Sequence, residues 1–222
     1  MIKFENTEVM NFEGAIRGMR NPLNSWDKSD SVFYSTDFAD TVEDLALGNM
    51  CGGKCPIIGP NDLALMKKLI KAGSDHRKFM RQILVSVDIT APLYWWKEFD
   101  TYKVGTVSNS CSTMHKIHEK EFTLEDFSYE KMNNYYVLKV VIEELNRFRN
   151  LYLEEKNKDF WYSMIQLLPT SYNQRRTITL NYETLYNIYG SRRNHKLDEW
   201  SIGFMKWIES LPYTNELIID RS

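Results

Sequence analysis

Ser74–Lys116, SDHRKFMRQILVSVDITAPLYWWKEFDTYKVGTVSNSCSTMHK, is the stretch on which the fold turns. From Gln82 to Thr90 the pattern has period two, with Ile83, Val85, Val87 and Ile89 on one face and Ser86, Asp88 and Thr90 on the other. That alternation predicts a strand packed on one side only. Pro92 ends it, and LYWWKEFDTY predicts a short helix that turns its aromatic residues inward. GTVSNSCSTMHK is too polar and too small to be core and reads as a loop, so the stretch has the makings of a ligand-binding unit.

Outward from it, the N-terminal side predicts a first strand near Ile2 to Phe4, a short helix over Glu8 to Met19, and a loop RNPLNSWDKSDS built on the turn formers Pro22, Asn24, Ser25 and Asp27. Ser35 to Gly48 is weakly helical, and GNMCGGKCPIIGP breaks any regular element. Pro60, Asn61 and Asp62 open a helix with Leu63, Met66, Leu69 and Ile70 at helical spacing and Gly73 placed to end it left-handed. On the C-terminal side, Leu124 to Leu168 is mostly helical, with a stripe of Val137, Leu138, Val141, Ile142, Leu145 and Phe148 and a break near Lys156 to Lys158. Pro169 closes it. Arg175 to Leu180 alternates as a second strand, Asn181 is suited to cap the next helix, and a last helix over Leu197 to Leu211 would bury Ile202, Met205, Trp207 and Ile208.

The 222 residues and 43% hydrophobic content suffice for one continuous core, so a single domain over 1–222 is expected. With 28 basic and 30 acidic residues the net charge is −2, which provides no global field to draw the chain to nucleic acid or an anionic membrane. No run approaches the ~20 apolar residues of a membrane span, and the start MIKFENTEVM lacks a signal-peptide order, so a cytoplasmic location is expected. Cys51, Cys55 and Cys111 are an odd number in a chain that needs no staples, and reduced thiols are expected.

A second polar unit, Gln166–Trp200, QLLPTSYNQRRTITLNYETLYNIYGSRRNHKLDEW, carries Asn181, Asn187 and Arg192 on or beside one helix. The two units together resemble the flavin-dependent thymidylate synthases, in which a His-containing segment, a strand ending in Pro, a helix and an R-H-R-x-x-S-x-N-E-x-S-x-R-Y loop follow in this order. The spacing from His76 to Pro92 agrees, Tyr102-Lys103 falls where that family has His-Arg, Thr106 where it has Ser, and Asn109 and Ser112 where it has Asn and Ser, after one inserted residue. Leu168-Pro169, Asn181, Asn187 and Arg192 match the family's second unit, and the resemblance covers about two thirds of the chain.

The resemblance implies an α/β (α+β) fold with a mixed or antiparallel sheet flanked by long helices, assembled as a homotetramer with sites between subunits. It implies FAD as cofactor, NADPH and methylenetetrahydrofolate as co-substrates, and dUMP or a related pyrimidine deoxynucleotide as acceptor. His76, Lys78, Arg81, Tyr102, Lys103, Asn181, Asn187 and His195 would bind the cofactor. Glu98, Asn109, Ser110, Cys111, Ser112 and Arg192 would bind the nucleotide, with Arg192 as the catalytic group that polarises the pyrimidine. The groups at 76, 181, 187 and 192 are expected to converge around a hollow the size of an isoalloxazine. The competing use of Arg192 is satisfying the last carbonyls of a helix, that of His76 a hydrogen-bonded turn, and that of Asn181 simple capping.

The loop departs from the family at Thr101 for Arg, Ser110 for Glu, Met114 for Arg and His115 for Tyr, while Glu98 stands for Gln and Arg81 for Glu. Lost arginines weaken the hold on a phosphate dianion, and a noncatalytic descendant that keeps the fold as a nucleotide-binding or interaction protein is the second functional class. Arg175, Arg176 and Arg193 are replacement phosphate partners or a solvated edge. Gly48–Cys55 nearly spells a phosphate-cradling loop, but Cys55 replaces its hydroxyl and no apolar strand precedes it. Cys51, Cys55, His115 and His118 lack the usual zinc spacing, and no metal is expected. Trp95 and Trp96 would serve as core and interface or stack a base.

Overall fold

The computed structural model describes residues 2–35, 48–52 and 54–220. Ser35 to Gly48, expected to be weakly helical, falls almost wholly outside them. Among the described residues there are six strands: β1 (Lys3–Met10), β2 (Val32–Ser35), β3 (Lys54–Ile57), β4 (Leu84–Pro92), β5 (Val107–Ser110) and β6 (Asn173–Asn181). Four of them form a sheet in the order β1-β4-β6-β5, and β2 pairs antiparallel with β3, Phe33 opposite Pro56. Helices among the described residues include α1 (Phe12–Arg20), α2 (Pro60–Lys71), α3 (Leu93–Phe99), α4 (Tyr136–Glu155), α5 (Lys158–Leu167), α6 (Tyr182–Arg192) and α7 (Met205–Glu209). The described residues fall into two compact units, one drawn from Met1–Lys3, Ile89–Thr101 and Asn109–Arg176, the other from Phe4–Asp88, Tyr102–Ser108 and Thr177–Ser222.

The side chains of Ile83, just before β4, and of Val85, Val87 and Ile89 within it are fully buried, while Ser86, Asp88 and Thr90 stay partly open, as the alternation predicts. Each such burial stabilises by about 1.5–3 kcal/mol. Pro92 then hands over to α3 without a break.

The first unit is built on α3, α4 and α5. Trp95, Trp96 and Phe99 bury one face of α3, with Trp95 stacked on Phe99 at 5.1 Å, so the tryptophan pair is core. Leu138, Ile142 and Leu145 of α4 pack with Met164 of α5, Phe122 and Phe127. The break between α4 and α5 occurs where expected: Lys156 is left-handed at φ 56°, and the Asn157 side chain accepts from the Asp159 amide at 2.9 Å. Two expectations fail here. Residues 124–135 are not helical beyond one turn at Leu124–Asp126, whose start Thr123 and Asp126 close with a capping box. Val137 is 66% exposed, since it lies on the side of α4 away from Leu138 and Ile142.

In the second unit, α2 begins at Pro60 and ends before Gly73, whose φ of +102° spares any Cβ the strain. β1 is longer than expected and runs through Glu8, so α1 starts only after Asn11. The glycine-rich piece is not without regular structure: Lys54–Ile57 is β3, paired to β2, and a phosphate-cradling loop would need a helix there. The expected last helix opens as a π-helical turn, Glu199–Phe204, before α7. The wider turn shifts the inward face by a residue, leaving Ile202 47% exposed while Trp200, Phe204, Met205, Trp207 and Ile208 are buried. Phe4 of β1 stacks on Trp207 at 4.9 Å.

The tightest polar knot of this unit joins α1 to α2. Asp62, wholly buried, accepts from Arg20 Nε at 2.6 Å and from the hydroxyls of Ser29 (2.8 Å) and Ser31 (2.6 Å). The amides of Asp30 and Ser31 donate to it as well. Burial works against ionisation of Asp62, but the Ser31, Ser29 and Arg20 hydrogen bonds outweigh it and hold the carboxyl below its ordinary value.

Candidate functional site

β6 runs directly into helix α6, which carries Asn187 and Arg192 and is capped by Asn181. Asn181 is the last residue of β6 and the cap of α6: its side-chain oxygen accepts from the Thr184 amide at 2.9 Å. Arg192 is the last residue of the same helix. Its Nε donates to the Tyr102 hydroxyl at 2.8 Å, and its guanidinium lies over the rings of Tyr102 (5.5 Å) and Trp200 (5.1 Å). The Tyr102 hydroxyl also pairs with Ser191 Oγ at 3.2 Å. The aromatic seating goes beyond the simple use of a helix-terminal arginine. His195 stands edge-on to Trp200 at 6.3 Å, and its Nδ1 accepts from the Leu197 amide.

The segment Tyr102–Gly105 runs along α6 from its C-terminal to its N-terminal end. Tyr102 meets Arg192, and the Val104 carbonyl accepts from the Thr184 hydroxyl at 3.4 Å. Gly105, at φ +74°, lies so close to the cap that a Cβ would meet Asn181 Nδ2 at 2.6 Å. Lys103 points outward and is exposed, as is Asn187 in the middle of α6. Asn181 and Arg192 therefore do not crowd one small hollow: eleven helical residues set them about 16 Å apart.

His76, Lys78 and Arg81 come together elsewhere in this unit. They line one edge of a cavity of about 680 Å³, within the ~300–1,000 Å³ of sites that bury small ligands. Met19, Leu23, Leu69 and Phe79 give it an apolar wall. The imidazole of His76 and the ammonium of Lys78 have no ion-pair partner among the described residues. Arg81 is engaged: it forks onto Glu183 of α6, with Nη2 3.3 Å from Oε1 and Nε closer still to Oε2, and Nη2 also donates to the Ser74 carbonyl. Arg77 Nε donates to the same carboxylate at 3.0 Å, and its guanidinium covers the Tyr186 ring at 4.5 Å. Burial opposes the charge on Glu183, but the hydrogen bonds from Arg81 and Arg77 prevail and lower its pKa.

In the first unit, Glu98 sits half-buried in the last turn of α3. Asn109 and Ser110 belong to the exposed strand β5, a strand where a loop is expected. The chain is held to β6 at Cys111, whose amide donates to the Arg175 carbonyl (2.9 Å) and whose carbonyl accepts from Gln174 Nε2 (2.8 Å). Ser112 Oγ accepts from the His115 amide. Arg176, a candidate phosphate partner, hydrogen-bonds Gln174 and Asp100 and lies over Trp96 at 4.2 Å. Among the described residues no three metal-capable side chains cluster.

Sequence reasoning missed Arg77, Glu183, Ser191 and Trp200, and the apolar wall at Met19, Leu23 and Leu69. The arginines four apart at 77 and 81 are the one local sign of the clamp on Glu183.

The fold is that of the flavin-dependent thymidylate synthases. Over 99% of this chain and 97% of the other, it is similar to the crystal structure of thymidylate synthase X from Helicobacter pylori with FAD and dUMP, at TM-score 0.69 and 15% sequence identity. A second structure of the flavin-dependent enzyme from Helicobacter pylori, complexed with FAD and dUMP, matches at TM-score 0.62 and 15% identity, covering 96% of this chain and 98% of that one. The α/β arrangement implied by the sequence resemblance is thus the one found. No protein-family model and no curated protein matches the chain. Among the described residues no helix is long and apolar enough to cross a membrane.

Proposed function

We propose that this protein binds FAD and a pyrimidine deoxynucleotide, and transfers a one-carbon unit from methylenetetrahydrofolate to C5 of dUMP or a related base. NADPH is the reductant, and the working assembly is a homotetramer. The observation that carries this reading is the seating of Arg192: a guanidinium pinned by Tyr102 and laid on Trp200, in a fold whose similar structures hold FAD and dUMP. A fixed cation of that kind stabilises the charge that builds on a pyrimidine ring as C5 becomes nucleophilic, and it does so without reorganisation.

The residues at the 680 Å³ cavity fit part of a flavin dinucleotide. The Met19, Leu23, Leu69 and Phe79 wall suits a flat ring, and His76 and Lys78 offer donors to anionic oxygens. When bound, FAD would supply the hydride relay from NADPH to the transferred carbon. Asn181 has its oxygen committed to the Thr184 amide, which leaves its amide nitrogen as the donor it would present to a ligand.

A second reading, a noncatalytic nucleotide- or flavin-binding protein, is favoured by Glu98, Ser110 and Met114 standing where the family has Gln, Glu and Arg. Purified protein separates the two. Yellow protein, or FAD uptake, together with dUMP-dependent tritium release from C5 supports the enzyme. Flavin uptake without release supports the noncatalytic reading. Colourless protein that takes up no FAD and releases no tritium ends the enzyme proposal.

A further inference from the structure

We propose that Glu183 is a positioning residue that locks the His76 turn to helix α6, so that the donors of both segments meet the flavin dinucleotide in fixed register. The inference rests on the function proposed above. Glu183 is 8% exposed and sits in the first turn of α6, two residues after the Asn181 cap. Its two oxygens take both guanidinium groups of the single-turn helix Arg77–Arg81, which flank Lys78 and follow His76 directly. One carboxylate thus ties down the turn at both ends. Tyr186, one helical turn further along α6, receives the Arg77 guanidinium on its ring and fixes the rotation of the clamp.

A buried carboxylate held by two arginines in this way does not itself reach a ligand. Its effect passes through the residues it orients, as partners behind a metal ligand act through that ligand. The clamp also draws on the local positive charge: Arg81 lines the cavity, yet it is paired with Glu183. Removing the carboxylate has two opposed effects. It frees cations at the cavity edge, which would favour an anion, and it releases the turn that carries His76 and Lys78. The freed charge of Arg81 is 46% exposed, so salt at physiological strength, with its Debye length of ~8 Å, screens most of the first effect. The second has no such screening and dominates.

The test is titration of the protein with FAD, followed by flavin fluorescence, for the unaltered chain, Glu183→Gln, Arg81→Gln and the exchange pair Arg81→Glu with Glu183→Arg. Arg81 is half exposed, so Arg81→Gln reports even if Glu183→Gln does not fold. The expected result is FAD affinity weakened about tenfold or more in each single variant, in the range found for losing residues that orient a ligand-binding group. The exchange pair should recover at least half of that loss on a logarithmic scale. Without FAD, amide hydrogen exchange over residues 77–81 should quicken in the single variants. Unchanged or tighter FAD binding by folded single variants, or a melting temperature that falls while affinity holds, overturns the clamp and leaves the proposed function standing. Absence of FAD binding by the unaltered chain overturns both.

Discussion

Replacing Asp62 by alanine removes the carboxylate on which the α1–α2 junction closes. The Arg20 side chain, 4% exposed, would then keep its charge with no counter-ion, and the hydroxyls and amides of Ser29, Asp30 and Ser31 would lose their acceptor. Breaking a buried ion pair from one side costs about 3–5 kcal/mol, set against a total stability of ~5–15 kcal/mol. For a chain of this size each kcal/mol moves the melting temperature by ~2–4 °C, so the variant should melt about 6–20 °C lower. Thermal unfolding by circular dichroism measures it. The double change Arg20→Met with Asp62→Leu should regain much of the loss, because the uncompensated charge is gone. A single-variant drop of less than about 2 °C would refute the reasoning. Since the junction sets Met19 and Leu23 against Leu69, the wall of the 680 Å³ cavity should loosen with it, and FAD affinity should fall in parallel.

Gly105→Ala places a Cβ against Asn181 and forces a non-glycine residue to φ +74°; it should cost about 1–2 kcal/mol and weaken FAD binding, measured by melting and by titration. Tyr102→Phe removes the acceptor of Arg192 Nε while keeping the ring beneath it, so stability should drop by only about 0.5–1.5 kcal/mol while dUMP-dependent tritium release slows markedly. Asp62 and Glu183 have carboxyl pKa values below their ordinary ones, although burial pushes both upward. Their contribution is complete above the unfolded carboxyl range near pH ~4 and disappears as pH falls through the lowered folded values. Melting temperatures should therefore decline on acidification below about pH 4, less so in an Asp62→Asn variant already lacking one of the two groups.

Strand β4, the cap at Asn181 and the break at Lys156 were legible because alternation and capping are encoded within a few neighbouring residues. So was the helix opened by Pro60. Ile202 and Val137 turned out exposed because a π-helical turn in one case and the rotation of α4 in the other moved residues that share an apolar pattern off the buried side. Strand β3 escaped notice since its partner β2 lies across a long stretch of chain, and glycine and proline content masked it. The pairing of Arg77 with Glu183 spans 106 residues, and no local pattern announces a contact of that range. Resemblance singled out Arg192, but its aromatic bed on Tyr102 and Trp200 joins segments about 90 residues apart, which no local pattern announces.

Helix α6 acts as a strut with a different chemical fitting at each tip. Only an elongated guest can touch both tips at once, and a lone mononucleotide would have to choose. Under the proposed function, length, more than the chemistry of either fitting alone, is what would admit a dinucleotide alongside a separate base. Any insertion or deletion within the strut would swing one fitting around the axis by about 100° per residue and break that selection, even with every named side chain retained.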